Sequence, residues 1–159
     1  MAMTMQVTGI EELSRKLTTL GDKAEEVAAR ALYDGAGVMA NAYAQAANSI
    51  KAEPFRYAFN GKKRYPSLEE KAALQGKTGI AKFDKNGSEV NTAVGISGAG
   101  YANIAGRQKA VRLIANAVNS GTSFMVKQPV FRKAATQARD AASAAIVAKA
   151  EKLIDEITK

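Results

Sequence analysis

The sequence predicts an α+β fold in which long helices, an N-terminal pair and a C-terminal one, pack on a small antiparallel sheet with a hairpin. Three observations predict it. Toward both ends, apolar residues recur at spacings of three and four, the period of one helix face. Between Thr78 and Ser97 the period changes to two around Asn86-Gly87, a hairpin signal. Between Lys51 and Lys77, Pro54, Asn60-Gly61 and Pro66 punctuate an extended loop. With 159 residues, no internal repeat and no break in composition, residues 1–159 read as one domain.

Thr8-Gly9-Ile10-Glu11 fits a capping box, in which Thr8 bonds an early amide and Glu11 reaches back. Ile10, Leu13, Leu17 and Leu20 form one stripe, and Gly21 is expected to stop this first helix. Asp22 with Glu25 then caps a second helix running to about Ile50, a rod of roughly 43 Å at 1.5 Å per residue. Its inner face reads Ala28, Leu32, Gly35, Met39, Ala42, Ala46 and Ile50. Gly35 and Gly37 each cost such a helix about 1 kcal/mol relative to alanine, so they predict a bend or a close approach of another backbone. So long a rod with so small an apolar face suits a ring or bundle of subunits.

Ser67-Leu68-Glu69-Glu70 caps a short helix through Leu74, ended by Gly76. Strands are expected over Thr78–Phe83 and Glu89–Ser97, with Val90, Thr92, Val94 and Ile96 on one face. Gly95, Gly98 and Gly100 read as a flexible connector, because no Lys-Ser or Lys-Thr follows as a phosphate loop requires. Arg107 to Val118 reads as a helix. Gly121 allows a tight turn, Phe124–Val126 is a short strand that needs neighbours, and Pro129 opens the last helix. That helix aligns Phe131, Ala135, Ala138, Ala142, Ile146, Ala150, Leu153 and Ile157, with the long second helix as its simplest partner.

Composition narrows function. Cys and His are both absent, which removes disulfides, the usual metal ligands and the usual general base. The acidic pairs Glu11-Glu12, Glu25-Glu26 and Glu69-Glu70 read as solvated helix starts, so no catalytic residue, metal ligand or cofactor site is assigned and an enzyme is not expected. No twenty-residue apolar run is present, so no membrane span is expected. The net charge of +8 is uneven: residues 51–135 hold 15 Lys and Arg against 5 Asp and Glu. Such a basic zone suits an anionic partner, DNA or an acidic protein surface, and equally serves simple solubility. Within it Phe55, Arg56, Tyr57, Phe59, Lys62, Lys63, Arg64 and Tyr65 interleave aromatic and basic side chains. That mixture fits a single-stranded nucleic-acid platform, or a loop whose aromatics tuck onto the core.

Gly121-Thr122-Ser123, Met125, Gln128-Pro129, Phe131-Arg132 and Ala134, in that order, resemble a known signature, and Thr8-Gly9-Ile10-Glu11-Glu12-Leu13 resembles the opening of the same family. It is the family of small head–tail joining proteins (neck, tail-completion or connector, also labelled minor tail) of long-tailed bacteriophages. This chain has Asn119 and Ser120 where that family usually carries an aromatic and a Glu, and its 51–77 segment is longer. The resemblance implies a structural virion protein at the neck, assembled in the host bacterial cytoplasm. It implies a homo-oligomeric ring, six- or twelve-fold, between portal or head-closure proteins and the tail tube or tail terminator, open to the passing genome.

On that reading Phe55, Tyr57, Phe59, Phe83, Asn86, Gly121, Thr122, Phe124, Met125, Pro129 and Phe131 are expected at subunit interfaces. Lys62, Lys63, Arg64, Lys82 and Lys85 are expected to face the DNA channel in loose, non-specific contact with the genome. The alternative is a small basic nucleic-acid-binding protein acting through residues 55–65.

Overall fold

The computed structural model describes residues 10–54, 62–86, 89–96 and 100–158, and the fold is α+β. Helix α1 spans Ile10–Ser49 as one element of 40 residues, about 60 Å long at 1.5 Å per residue. The stop expected at Gly21 does not occur. Gly21 is not among the glycines with positive φ, and a Cβ added there would meet nothing within 4 Å. The roughly 1 kcal/mol that a helical glycine costs is too little to end a helix whose next turns are held by packing at Val27 and Ala31. Thr8 and Gly9, half of the expected cap, lie outside the described residues.

Helix α2, Leu68–Leu74, begins as the sequence indicates: Ser67 Oγ accepts from the Glu70 amide at 3.2 Å and Glu70 Oε2 accepts from the Ser67 amide at 3.0 Å. Helix α3 is Val111–Ser120, and α4 is Val130–Thr158, starting directly after Pro129. α4 runs antiparallel to α1. Its start meets the end of α1, where the Tyr43 and Phe131 rings stack 5.8 Å apart, and its far half meets the middle, where Lys149 pairs with Asp34 at 3.5 Å. At the middle of the seam Gly35 of α1 faces Ala142 and Ile146 of α4, which lets the axes approach closely. Gly35 is the close approach that the sequence predicts: a Cβ there would sit 2.9 Å from the Ala142 carbonyl oxygen and press into the Ile146 side chain.

Among the described residues, six short strands form three antiparallel pairs. β1 (Thr78–Ile80) pairs with β4 (Val94–Ile96), and β2 (Asp84–Asn86) with β3 (Glu89–Asn91). These are the base and tip of one bent hairpin. Residues 81–83 lie opposite 92–93, one extra residue on the first arm, as in a bulge. The arms cross there through the Ala81 amide to the Ala93 carbonyl at 2.7 Å. Asp84, Lys85 and Asn86, expected in the turn, belong to β2.

β5 (Tyr101–Ile104) and β6 (Arg107–Ala110) form a second hairpin where a connector and the start of a helix are expected. Its turn residues, Ala105 and Gly106, both have positive φ, 51° and 77°. That is the sign pattern of the tight turn matching strand twist, normally announced by Asn-Gly. With Ala in the first place the signal is silent. Phe124–Val126 is not a strand of the first hairpin: Met125 forms a single parallel bridge with Arg64.

The core sits at one end of the α1–α4 pair. Ala46 and Ala47 of α1, with Ile50 just beyond it, meet Leu74, Ile104, Val111, Ile114, Ala115 and Val118, closed by Met125 and Phe131. Among the described residues no helix is long and apolar enough to cross a membrane.

Candidate functional site

The 121–134 run of the family resemblance builds one joint, between the end of α3 and the start of α4, while Ile10–Leu13 of its opening run stand at the far end of α1. α3 closes with the Gly121 amide donating to the Ala117 carbonyl at 2.9 Å, and Gly121 then turns with φ of 75°. A side chain there is excluded twice, by the left-handed backbone and by Lys127, whose Cβ lies 2.9 Å from where a Cβ would stand. Thr122 Oγ1 accepts from the amides of Phe124 at 3.3 Å and Met125 at 3.0 Å, folding the turn over itself. The chain then passes Arg64 in a parallel bridge, with the Arg64 amide donating to the Phe124 carbonyl at 3.0 Å and the Val126 amide to the Arg64 carbonyl at 2.8 Å.

Gln128 follows, buried, and its side-chain amide bonds both backbone groups of Lys51 just beyond α1. Asn119 Oδ1 accepts from the Arg132 amide at 3.3 Å, which satisfies one of the free donors in the first turn of α4. The joint thus ties three helix ends together by polar contacts around a buried Met125 and Phe131.

Beside it lies a buried charge cluster. The Glu70 side chain is 3% exposed and accepts from Lys109 Nζ at 3.0 Å and from the Ser67 amide. The Arg64 guanidinium, 10% exposed, approaches it to 3.6 Å, donates to the Tyr65 carbonyl at 3.2 Å, and lies 6.0 Å from the centroid of the Phe124 ring. Burial pushes the Glu70 carboxyl up, but the Ser67 amide, Lys109 and Arg64 outweigh it, and the net shift is downward. Glu69 accepts from the Ala105 amide at 2.9 Å, so α2 holds the second hairpin through both adjacent acids. Chemically the arrangement is a set of clamps. The Arg64 guanidinium is engaged through Nη1 alone, its Nη2 being buried without a hydrogen-bond partner.

Comparison with family models, with curated proteins and with solved structures finds no match.

The structure distributes the expected interface residues unevenly. Met125 and Phe131, 2% and 6% exposed, are core residues of this chain and do not face outward, because the joint folds over the former and Tyr43 stacks on the latter. Gly121, Thr122 and Pro129 are half-buried within the joint. Phe124 is 41% exposed, and Phe83 is outward beside Tyr33 at 6.3 Å, next to a recess of about 250 Å³ that includes Lys149. Phe55, Tyr57 and Phe59 lie outside the described residues, as do the side chains of Asn86 and Lys85, whose backbones belong to β2.

Among the expected channel cations, Lys62, Lys63 and Lys82 are exposed. Arg64 is not: its charge is committed to the interior beside Glu70. Sequence reasoning missed Glu70, taken as a solvated helix start, and Gln128. A signal for the first is its spacing to Leu74, four residues on and on the same face of α2. For the second, only the three-dimensional meeting with Lys51 reveals the role.

Proposed function

We propose that this chain is a structural subunit of the head–tail junction of a long-tailed bacteriophage, a brick that acts by shape and assembles with copies of itself into a ring. The observation that carries the reading is that the resembling positions between Gly121 and Phe131 work together in one joint. Gly121, Thr122, Met125, Gln128 and Phe131 are respectively its turn, its lock, its plug, its clamp and its floor. The order and spacing of that run therefore correspond to a single mechanical part of the fold.

The rod supports the same reading. α1 and α4 pack through a thin seam and leave Tyr33, Val147 and Ile154 outward, apolar surface that side-by-side copies would cover. In such a ring the bent hairpin and the 51–77 segment contact neighbouring copies or the adjoining portal, head-closure, tail-tube or terminator ring, and the genome passes through the middle.

Native mass spectrometry and negative-stain microscopy of the purified protein test the proposal. Closed rings of six or twelve copies are expected. A monomer at every concentration, together with no antibody labelling at the neck of virions from a producing culture, overturns it.

A further inference from the structure

The fold brings to one end of the rod basic residues from three separate stretches of the sequence. Lys51 lies just past α1, and its backbone is bonded through Gln128 to the residue following Lys127. Lys62 and Lys63 lead into Arg64, whose bridge to Met125 sets them beside the same strand. Arg132 and Lys133 stand in the first turn of α4, and the Lys133 amide bonds the Pro129 carbonyl at 3.0 Å. Lys51, Lys62, Lys63, Lys127, Arg132 and Lys133 are all exposed.

Little opposes them. Residues 118–134 contain no Asp or Glu, and residues 50–54 and 62–65 contain only Glu53. The nearby Glu70 is buried and neutralised by Arg64 and Lys109. At this pole the positive end of the α4 dipole is offset by the negative end of the longer α1, so the positive potential comes from the side chains. A groove of about 430 Å³ opens from it between α1 and α4, rimmed by Gln45, Ser49, Lys133 and Gln137 over an alanine floor.

We infer that this pole, where α1 ends and α4 begins, is a sequence-independent binding face for the phosphate backbone of duplex DNA. The inference deepens the ring reading by naming which end of each subunit meets the genome. Sequence-independent phosphate recognition needs dispersed, solvated cations, and those are the groups present. An acidic protein partner would need an apolar centre as well. Within these segments Phe124 is the one exposed large apolar side chain among the described residues, and the Arg64 guanidinium already lies near its ring.

The test is fluorescence anisotropy with a labelled random-sequence duplex, titrated with salt. Binding is expected to weaken log-linearly with salt, by about 0.9 in slope per phosphate contact. Lys51→Glu, Lys127→Glu and Lys133→Glu combined are expected to lower affinity at least about tenfold and to flatten the slope by about three units. Lys152→Glu near the other end of α4 is expected to change affinity by less than about twofold.

Circular dichroism checks folding. Should the triple variant not fold, Lys62→Ala with Lys63→Ala, a milder pair, is expected to reduce the slope by about two. Absence of salt-dependent binding overturns the inference, as does an equal loss in the Lys152 variant, or competition by polyglutamate as effective as by unlabelled duplex. Native mass spectrometry of the same samples separates the two proposals. Rings that do not bind duplex remove this inference alone, and monomers that do bind it remove the ring alone.

Discussion

The side-chain amide of Gln128 is hydrogen-bonded to both backbone groups of Lys51, accepting from its N–H at 2.9 Å and donating to its C=O at 3.0 Å. One side chain thereby does for the end of α1 what a neighbouring strand would do, across 77 positions of sequence. Gln128→Ala leaves both Lys51 groups without these partners and should cost about 2–3 kcal/mol, at roughly 1–1.5 per bond lost. Gln128→Glu keeps the acceptor but sets a carboxylate against the Lys51 carbonyl, so its stability should improve as the pH falls and that carboxyl protonates. Urea unfolding of the variants at two pH values checks both expectations.

The Glu70 cluster predicts an acid-sensitive fold. Because Glu70 is shifted downward in the folded chain, its contribution is fully present above the usual carboxylate range and is lost as the pH drops through its lower folded value. Glu70→Gln keeps the shape but strands Lys109 and the buried Arg64 without a counter-charge. It should cost about 3 kcal/mol at neutral pH and flatten the acid limb of the stability curve. Thermal melts across pH, compared with the unsubstituted chain, read out both effects.

Gly35→Ala sets two effects against each other. Helix propensity favours alanine by about 1 kcal/mol, while overpacking typically costs 1–3 kcal/mol. The added Cβ meets not only the movable Ile146 side chain but also the Ala142 backbone oxygen at 2.9 Å, which cannot step aside without moving the helix. A net loss of about 1 kcal/mol is expected in chemical denaturation. Ile146→Val should recover only part of it, since the backbone contact remains.

Ala105 offers the reverse. A non-glycine residue at φ of 51° is strained, and Asn tolerates that region better than Ala. Ala105→Asn creates Asn-Gly at the tip of the second hairpin and leaves the amide bond to Glu69 in place. A gain of about 0.5–1 kcal/mol in unfolding free energy is expected, and no gain would argue against the turn as described.

What the sequence made legible was local. Ser67 and Glu70 announce both halves of a capping box because the motif is complete within four residues, and Pro129 announces α4 because its missing N–H is harmless there. Gly35 could be flagged as a close approach, though not its partner. Gly21 misled because a glycine signals a helix end only when the backbone takes the left-handed turn, and here α1's packing keeps it helical. The β5–β6 hairpin was hidden by an alanine in a glycine-like conformation, and the bend of the first hairpin by one extra residue that leaves the alternation of Val90, Thr92, Val94 and Ile96 intact. The joint was legible as a motif, while its work as a clamp depends on Lys51 and Asn119, which no local pattern marks.

The placement of the core at one end of a helix about 60 Å long makes the molecule a cantilever. The root, around Ala46, Ala47 and Ile50, is set in the main cluster of buried side chains, while the outer span rests on α4 and on the first hairpin with few buried residues, Val27, Ala31 and Ala36 on α1 and Leu153 on α4. Resistance to opening should therefore fall along α1 from root to outer span, and amide hydrogen exchange should quicken in the same direction. A load applied to the outer span would be felt as torque at the root, where the Tyr43–Phe131 stack and the Gln128 bonds to Lys51 stand ready to take it.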